Sequence, residues 1–174
     1  MNARHQLAAL AAAAVLGLAA CGDDDDGDEA ATTGAETATQ AEEPAGGADA
    51  DTSKKPEVEV PEGDPPAGLQ VEDIVEGDGA TAAAGDTVTV HYVGVSYSTG
   101  EQFDASWDRR EPFSFPLGAG QVIPGWDQGV AGMKEGGRRE LIIPPDLAYG
   151  ESGQPPAIGP NETLVFVVDL IEVQ

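Results

Sequence analysis

Between residue 86 and the C-terminus, apolar and polar residues alternate in several short runs. In DTVTVHYVGV, Asp86 to Val95, the residues Val88, Val90 and Tyr92 share one parity and Thr87, Thr89 and His91 the other. That is the mark of a strand with one buried face. Phe113, Phe115 and Leu117 alternate in the same way, as do Leu164, Phe166, Val168 and Leu170 within a strand from Thr163 to Val173. Arg138 to Ile143 and Leu69 to Val75 predict two more strands, and Glu101 to Ser106 a short one after the Ser98-Thr99-Gly100 turn. One stretch breaks the pattern. Trp126, Val130 and Met133 fall at i, i+4 and i+7, which predicts a helix from Pro124 to Met133, begun by the proline and ended by Gly136-Gly137. Five or six strands and one short helix predict an α+β domain, the helix lying across a curved antiparallel sheet. Pro144 to Glu162, rich in proline and glycine, is its longest loop, and long ordered loops are often functional.

Composition places this domain at the C-terminal end. All nine aromatic residues lie between Tyr92 and Phe166, so the core is there, in a domain of residues 68–174. Residues 22–67 carry 15 Asp or Glu against Lys54 and Lys55, with little apolar bulk. Such a segment cannot offset its ordering entropy by burial, so residues 21–67 are expected to be a disordered acidic linker. The formal net charge of −24 argues against a phosphate-tracking nucleic-acid role. Cys21 is the single cysteine, and His5 and His91 are the only histidines, so neither an intrachain disulfide nor a Cys/His metal cluster is expected. No metal or cofactor is called for.

Residues 1–20 read as an export signal, with Arg4 followed by an uncharged apolar run from Leu7 to Ala20 that is short for a membrane span. The run ends in Leu18-Ala19-Ala20-Cys21, which resembles the bacterial lipobox. That resemblance implies lipidation of Cys21, whose thiol would carry a diacylglycerol, and anchorage to the outer face of the bacterial cytoplasmic membrane.

Three segments of the domain carry a second resemblance. VHYVGVSYSTGEQFDASW, PFSFPLGAGQVIPGWDQGVAGMKEGGRRELIIPPDLAYG and TLVFVVDLIEV, in this order and spacing, resemble an FKBP-type peptidyl-prolyl isomerase over nearly all of residues 68–174. The resemblance implies an FKBP-like curved antiparallel sheet of five to six strands wrapped around one short helix. It implies a pocket walled by Tyr92, Phe103, Phe113, Trp126, Tyr149 and Phe166, with Trp126 as the floor beneath a proline ring. Ile123 would donate its backbone N–H to a ligand, Tyr149 its hydroxyl, and Ile158 would be an apolar flap residue. Asp104 would lie near the reacting amide with Arg109 as its ion partner, and Phe115 would support the wall. Implied partners are proline-containing polypeptides and macrolide inhibitors, bound by a monomer. The sequence departs from the family pattern at Gln154, where many members carry a histidine, and at Ala157, which is smaller than usual.

Taken alone, several of these residues have plainer readings. By period, Phe115, Trp126 and Phe166 are core residues, Asp104 is a turn cap or surface charge, and Arg109 is a surface arginine. His91, opposite in parity to Tyr92, faces away from the pocket. Arg138 and Arg139 are exposed strand-end charges, of which at most one points inward. The functional alternatives are an isomerase assisting exported chains, a non-catalytic proline-peptide-binding module of the same fold, and a surface lipoprotein using the domain as a spacer.

Overall fold

The computed structural model describes residues 51–174. The expected export signal, Cys21 and the first part of the acidic linker lie outside the described residues. Six strands form one antiparallel sheet: β1 (Gln70–Val75), β2 (Thr87–Ser96), β3 (Gln102–Ala105), β4 (Phe113–Pro116), β5 (Arg138–Ile143) and β6 (Leu164–Val173). Their order is β1-β5-β6-β2-β3, and β4 also pairs with β2. The first half of β2 pairs with β4, through Thr87 to Val90, and the second half with β3, through Val93 to Val95. The outer edge of one long strand is thus shared by two short ones.

The predicted strands lie where the alternation puts them, but more of their surface is buried than one face. On the concave side, Val88, Val90, Tyr92, Leu141, Ile143, Leu164, Phe166, Val168 and Leu170 join Trp126, Val130 and Met133 in the main core. On the convex side, Val93, Val95, Ala105, Ile142 and Val165 form a second cluster. All six residues of β5 are buried as a result.

The helix α2 spans Pro124–Gly129, shorter than the periodicity predicts. Trp126, Val130 and Met133 all face the core, at 4%, 0% and 2% exposure. Met133 gets there by a turn rather than by helix. Gly132 adopts φ 81°, a left-handed conformation that suits glycine, and Ala82 captures this turn through Ala82 N–H to the Met133 carbonyl (2.8 Å) and Gly132 N–H to the Ala82 carbonyl (2.9 Å). A second helical turn, α1 (Ser106–Arg109), stands where the sequence reading ended a strand. Ser106 is withdrawn from the strand because its Oγ accepts the Tyr92 N–H at 2.8 Å.

Two expectations are corrected. Arg138 and Arg139 are not exposed strand-end charges but are buried, at 0% and 8% exposure. They do point to opposite faces, and each meets a carboxylate. Arg138 forms a two-pronged pair with Asp169 on the convex side, at 2.5 and 3.0 Å. Arg139 does the same with Asp73, at 2.6 and 2.8 Å, and also donates to the Gly129 carbonyl at the end of α2 (2.8 Å). The planar fork of arginine suits such sites, where its stem is buried and its head is fully paired.

The second correction concerns the linker. Residues 51–67 fall within the span expected to be a free spacer, yet their N-terminal part lies on the convex face. Val58 and Val60 pack against the convex cluster together with Tyr97 and Trp107. The Lys54 carbonyl accepts from Arg138 Nη2 at 2.8 Å, and Lys55 pairs with Asp108 at 2.6 Å. Composition averaged over the segment hides two valines at alternate positions, enough to occupy a waiting apolar face.

Glu140 is the polar exception on that face. It is 5% exposed, faces Glu72 across the β1–β5 pair, and its Oε2 has no partner among the described residues. Burial, reinforced by the charge of Glu72, pushes its pKa up from 4.5 to about 7. The unfolded chain releases this proton near the ordinary value and the folded chain only near neutrality. Stability therefore falls as pH rises between those two values and is level above them. Glu140→Gln is expected to raise stability at pH 8 by about 1–2 kcal/mol, after allowance for solvent screening, and to change little at pH 4. Urea midpoints of the two proteins at both pH values check this, and an equal shift at both would contradict it.

Candidate active site

On the concave side, α2 is pressed against the sheet by two glycines on the face that meets β5. A Cβ on Gly125 would lie 2.3 Å from Ile143 Cγ2, and one on Gly129 2.6 Å from Leu141 Cδ2. Between them stands Trp126. Its indole meets Tyr92 at 5.1 Å and Phe166 at 5.3 Å between ring centres, both edge to face, and Phe115 at 5.6 Å, tilted. These offset and perpendicular arrangements suit the ring quadrupoles. Phe103 stands edge-on to Phe166 at 5.5 Å, and Phe113, 39% exposed, forms the outer rim.

These rings enclose a cavity of about 500 Å³, open to solvent. It is lined by Tyr92, Phe103, Phe113, Trp126, Tyr149 and Phe166, together with Asp104 and Ile123. Both readings of Trp126 and Phe166 therefore hold, since the cavity is an unroofed side of the core. The volume lies within the range usual for small-ligand clefts.

The polar groups are few and mostly occupied. The Tyr92 hydroxyl donates to Asp104 Oδ2 at 2.5 Å and accepts from Arg109 Nη2 at 2.9 Å, while Arg109 Nη1 is bonded to Asp104 Oδ1. Burial works to raise the Asp104 pKa, but the bonds from Tyr92 and Arg109 outweigh it and hold the carboxyl below its usual range. Asp104 is thus a fixed anion, not a proton donor. Tyr92 is pushed up, by burial and then by the bond to Asp104. Tyr149 is also pushed up, by burial and by the charge of Asp104, so its hydroxyl stays protonated and able to donate.

Ile123 caps the start of α2 in an extended conformation, φ −60° and ψ 145°. Its carbonyl accepts from Trp126 and Asp127, and its own N–H makes no backbone bond among the described residues. The preceding loop is tied to the helix by Asp127, whose two carboxylate oxygens accept from Gly118 N–H (2.8 Å) and Gly120 N–H (3.0 Å).

Three sequence-predicted residues do not line the cavity, and the first of them, Arg109, stands behind Asp104 and the Tyr92 hydroxyl. Ile158 is 2% exposed and packs in the main core rather than lining the cavity. A small loop closed by Gln154 N–H to the Ile158 carbonyl (2.9 Å) and Ile158 N–H to the Gln154 carbonyl (3.0 Å) holds it there. Phe115, 2% exposed, lies behind the wall, stacked on Phe113 at 5.5 Å. His91 points to the convex side and stacks on Trp107 at 4.3 Å.

Comparison with known proteins agrees with this geometry. The family description "FKBP-type peptidyl-prolyl cis-trans isomerase" matches residues 79–171. The chain belongs to this family. An FK506-binding protein of Streptomyces anulatus is 65% identical over 121 residues, covering 69% of this chain and 98% of that one. A peptidyl-prolyl cis-trans isomerase of Xenopus laevis is 51% identical over 108 residues, 62% of this chain and 99% of its own. Among solved structures, FkpA from Escherichia coli aligns with a TM-score of 0.56 at 45% identity, over 62% of this chain and 48% of that one. The chain is thus a peptidyl-prolyl isomerase of the FKBP type, with the sheet and helix of that fold.

Sequence reasoning missed the residue that lets the isomerase pocket close. A Cβ on Gly94, in the interior of β2, would lie 2.7 Å from both Phe103 Cζ and Phe166 Cε1. The signal was available, since a glycine inside an alternating strand marks close approach of another group. It also missed the Tyr92 hydroxyl as the third member of the Asp104–Arg109 pair. Gly94→Ala is expected to displace the two rings, to cost about 1–3 kcal/mol of stability and to weaken peptide isomerisation. Gly159→Ala, where a Cβ meets nothing within 4 Å, is the matched control and is expected to stay within about 0.5 kcal/mol of the parent. Denaturant midpoints and isomerase rates of the two variants check the pair.

Proposed function

We propose that this isomerase acts on proline-containing segments of exported polypeptides, held at the outer face of a bacterial cytoplasmic membrane by a lipid on Cys21. In this reading catalysis is non-covalent and rests on desolvation. The observation that carries it is the cavity itself: aromatic on its floor and walls, with one anion already neutralised by Arg109 and one unspent phenolic donor.

The chemistry follows from the peptide bond. Amide resonance sets a rotational barrier of about 18–20 kcal/mol, and uncatalysed exchange of an X-Pro bond takes tens to hundreds of seconds. As the bond twists, the C–N link loses double-bond character and the nitrogen and carbonyl oxygen separate less charge. Water favours the planar, more polar form. An aromatic, poorly hydrated cavity removes that preference, so the twisted form is bound relatively better. Trp126 supports the proline ring, Phe166, Phe103 and Tyr92 exclude water, and the carbonyl swings in the open part of the cavity. Ile123 N–H and the Tyr149 hydroxyl orient the flanking chain. Asp104, held by Tyr92 and Arg109, presents a fixed charge to the reacting amide. No step needs a nucleophile or a proton transfer. The same aromatic floor would accept a macrolide ligand in place of proline, in keeping with the FK506-binding names of the relatives.

Exchange of X-Pro peptides measured by NMR with the full chain tests this. Trp126→Ala is expected to lower kcat/KM by about tenfold or more, whereas Tyr149→Phe is expected to keep most of the activity. If Tyr149→Phe alone returns exchange to the uncatalysed rate, hydrogen bonding rather than desolvation carries catalysis. The location is tested separately: Cys21→Ala is expected to move the protein from the membrane to the soluble fraction of cells, and retention on membranes would overturn the anchor.

A further inference from the structure

We propose that residues 51–60 form a strap that positions the polar wall of the pocket, acting through α1 on Arg109. The inference rests on the reading of Asp104 and Arg109 as pocket groups.

A helix of four residues has almost no stability of its own, because the entropy of fixing its first turn is met by very few hydrogen bonds. Whatever surrounds α1 therefore sets its position, and each of its residues is held by something different. Ser106 is fully buried and anchored to β2 by the Tyr92 N–H (2.8 Å) and by His91 Nδ1 (2.9 Å). Trp107 lies stacked on His91 and packs against the same convex cluster as Val58 and Val60 of the strap. Asp108 is gripped by Lys55 of the strap at 2.6 Å and by Gln102 of β3 at 2.8 Å. Arg109 then bonds two residues of the pocket wall, Asp104 and the Tyr92 hydroxyl. Arg110 ends the turn in a left-handed conformation, φ 55°. Strap and pocket thus grip adjacent residues of one short turn.

The strap is built as a clamp rather than as a loose end. Its valines at 58 and 60 project to one side, as alternate residues of an extended chain do. Pro56, which follows the two polar grips and precedes the valines, is buried. The Lys54 carbonyl accepts from Arg138, itself paired with buried Asp169, so the start of the strap is fixed to the middle of the sheet. The Lys55–Asp108 ion pair is weak alone, since the two side chains are 38% and 52% exposed. The valines and the Arg138 bond supply the rest. Removing the strap takes away the Lys55 grip on Asp108 and leaves α1 held by Ser106, by Gln102 and by Trp107 on His91, so that Arg109 is less firmly placed on Asp104.

The test uses the full chain and X-Pro peptide exchange. Val58→Asp/Val60→Asp, which undocks the strap, is expected to lower kcat/KM by about three- to tenfold. Lys55→Glu is expected to lower it less, and Lys55→Arg to restore it. Arg109→Ala is the deciding background. Because the strap acts through Arg109, the valine variant is expected to add under twofold to the loss caused by Arg109→Ala. Multiplying losses, or full activity in the valine variant, would overturn the inference. Should the valine variant fail to fold, Lys55→Glu at a surface position carries the same comparison. An Arg109→Ala protein with undiminished activity removes the pocket reading and the strap with it, whereas reduced activity there combined with an inert strap removes the strap alone.

Discussion

The domain depends on how closely a six-residue helix can lie on a sheet. Gly125 and Gly129 leave no side chain between α2 and β5, and any Cβ there would collide with Ile143 or Leu141. That approach seats Trp126 in the concave curve, where Tyr92, Phe115 and Phe166 all reach it. Core packing and the binding cavity are two sides of a single aromatic cluster, so the substrate completes a core that the chain leaves open.

The two faces of the sheet solve different problems. The concave face buries rings around α2. The convex face carries Arg138, Asp169 and Glu140 among valines. Burying an ion pair is tolerable only when geometry and further hydrogen bonds are good. Arg138 meets that condition through its fork on Asp169 and through the Lys54 carbonyl. The backbone of an acidic segment thus supplies an acceptor to a buried cation, while the side chains of Val58 and Val60 cover the apolar part. Glu140 has no such partner, and stays in place by keeping its proton near neutral pH.

Within the site, the separation between shape and charge is clear. The wide surface offered to a ligand is aromatic, and the charged groups are satisfied by one another before any ligand arrives. Tyr92 belongs to both sets, its ring against Trp126 and its hydroxyl between Asp104 and Arg109. A change in α1 therefore reaches the apolar wall as well as the polar one.

The strands, the core parity of Val88 to Tyr92 and of Leu164 to Leu170, and the helical spacing of Trp126, Val130 and Met133 were legible because side-chain period is a local property of the backbone. Most of the pocket was legible through the run of motifs resembling the FKBP-type family, and the cavity lining agrees for Tyr92, Phe103, Asp104, Phe113, Ile123, Trp126, Tyr149 and Phe166. What period could not show was anything decided by a partner distant in the chain. Arg138 and Arg139 read as exposed because their carboxylates, Asp169 and Asp73, lie 31 and 66 residues away. Ile158 packs in the main core among residues distant from it in the chain, so its burial could not be read from its own loop. By itself, then, the sequence determined which strands form and which of their residues share a face, since those follow from neighbours along the chain. Only the tertiary structure decided that Gly94 makes room for two rings, that residues 51–60 lie on the sheet, and that α1 joins them to the pocket, because each depends on which surfaces meet once the sheet has closed.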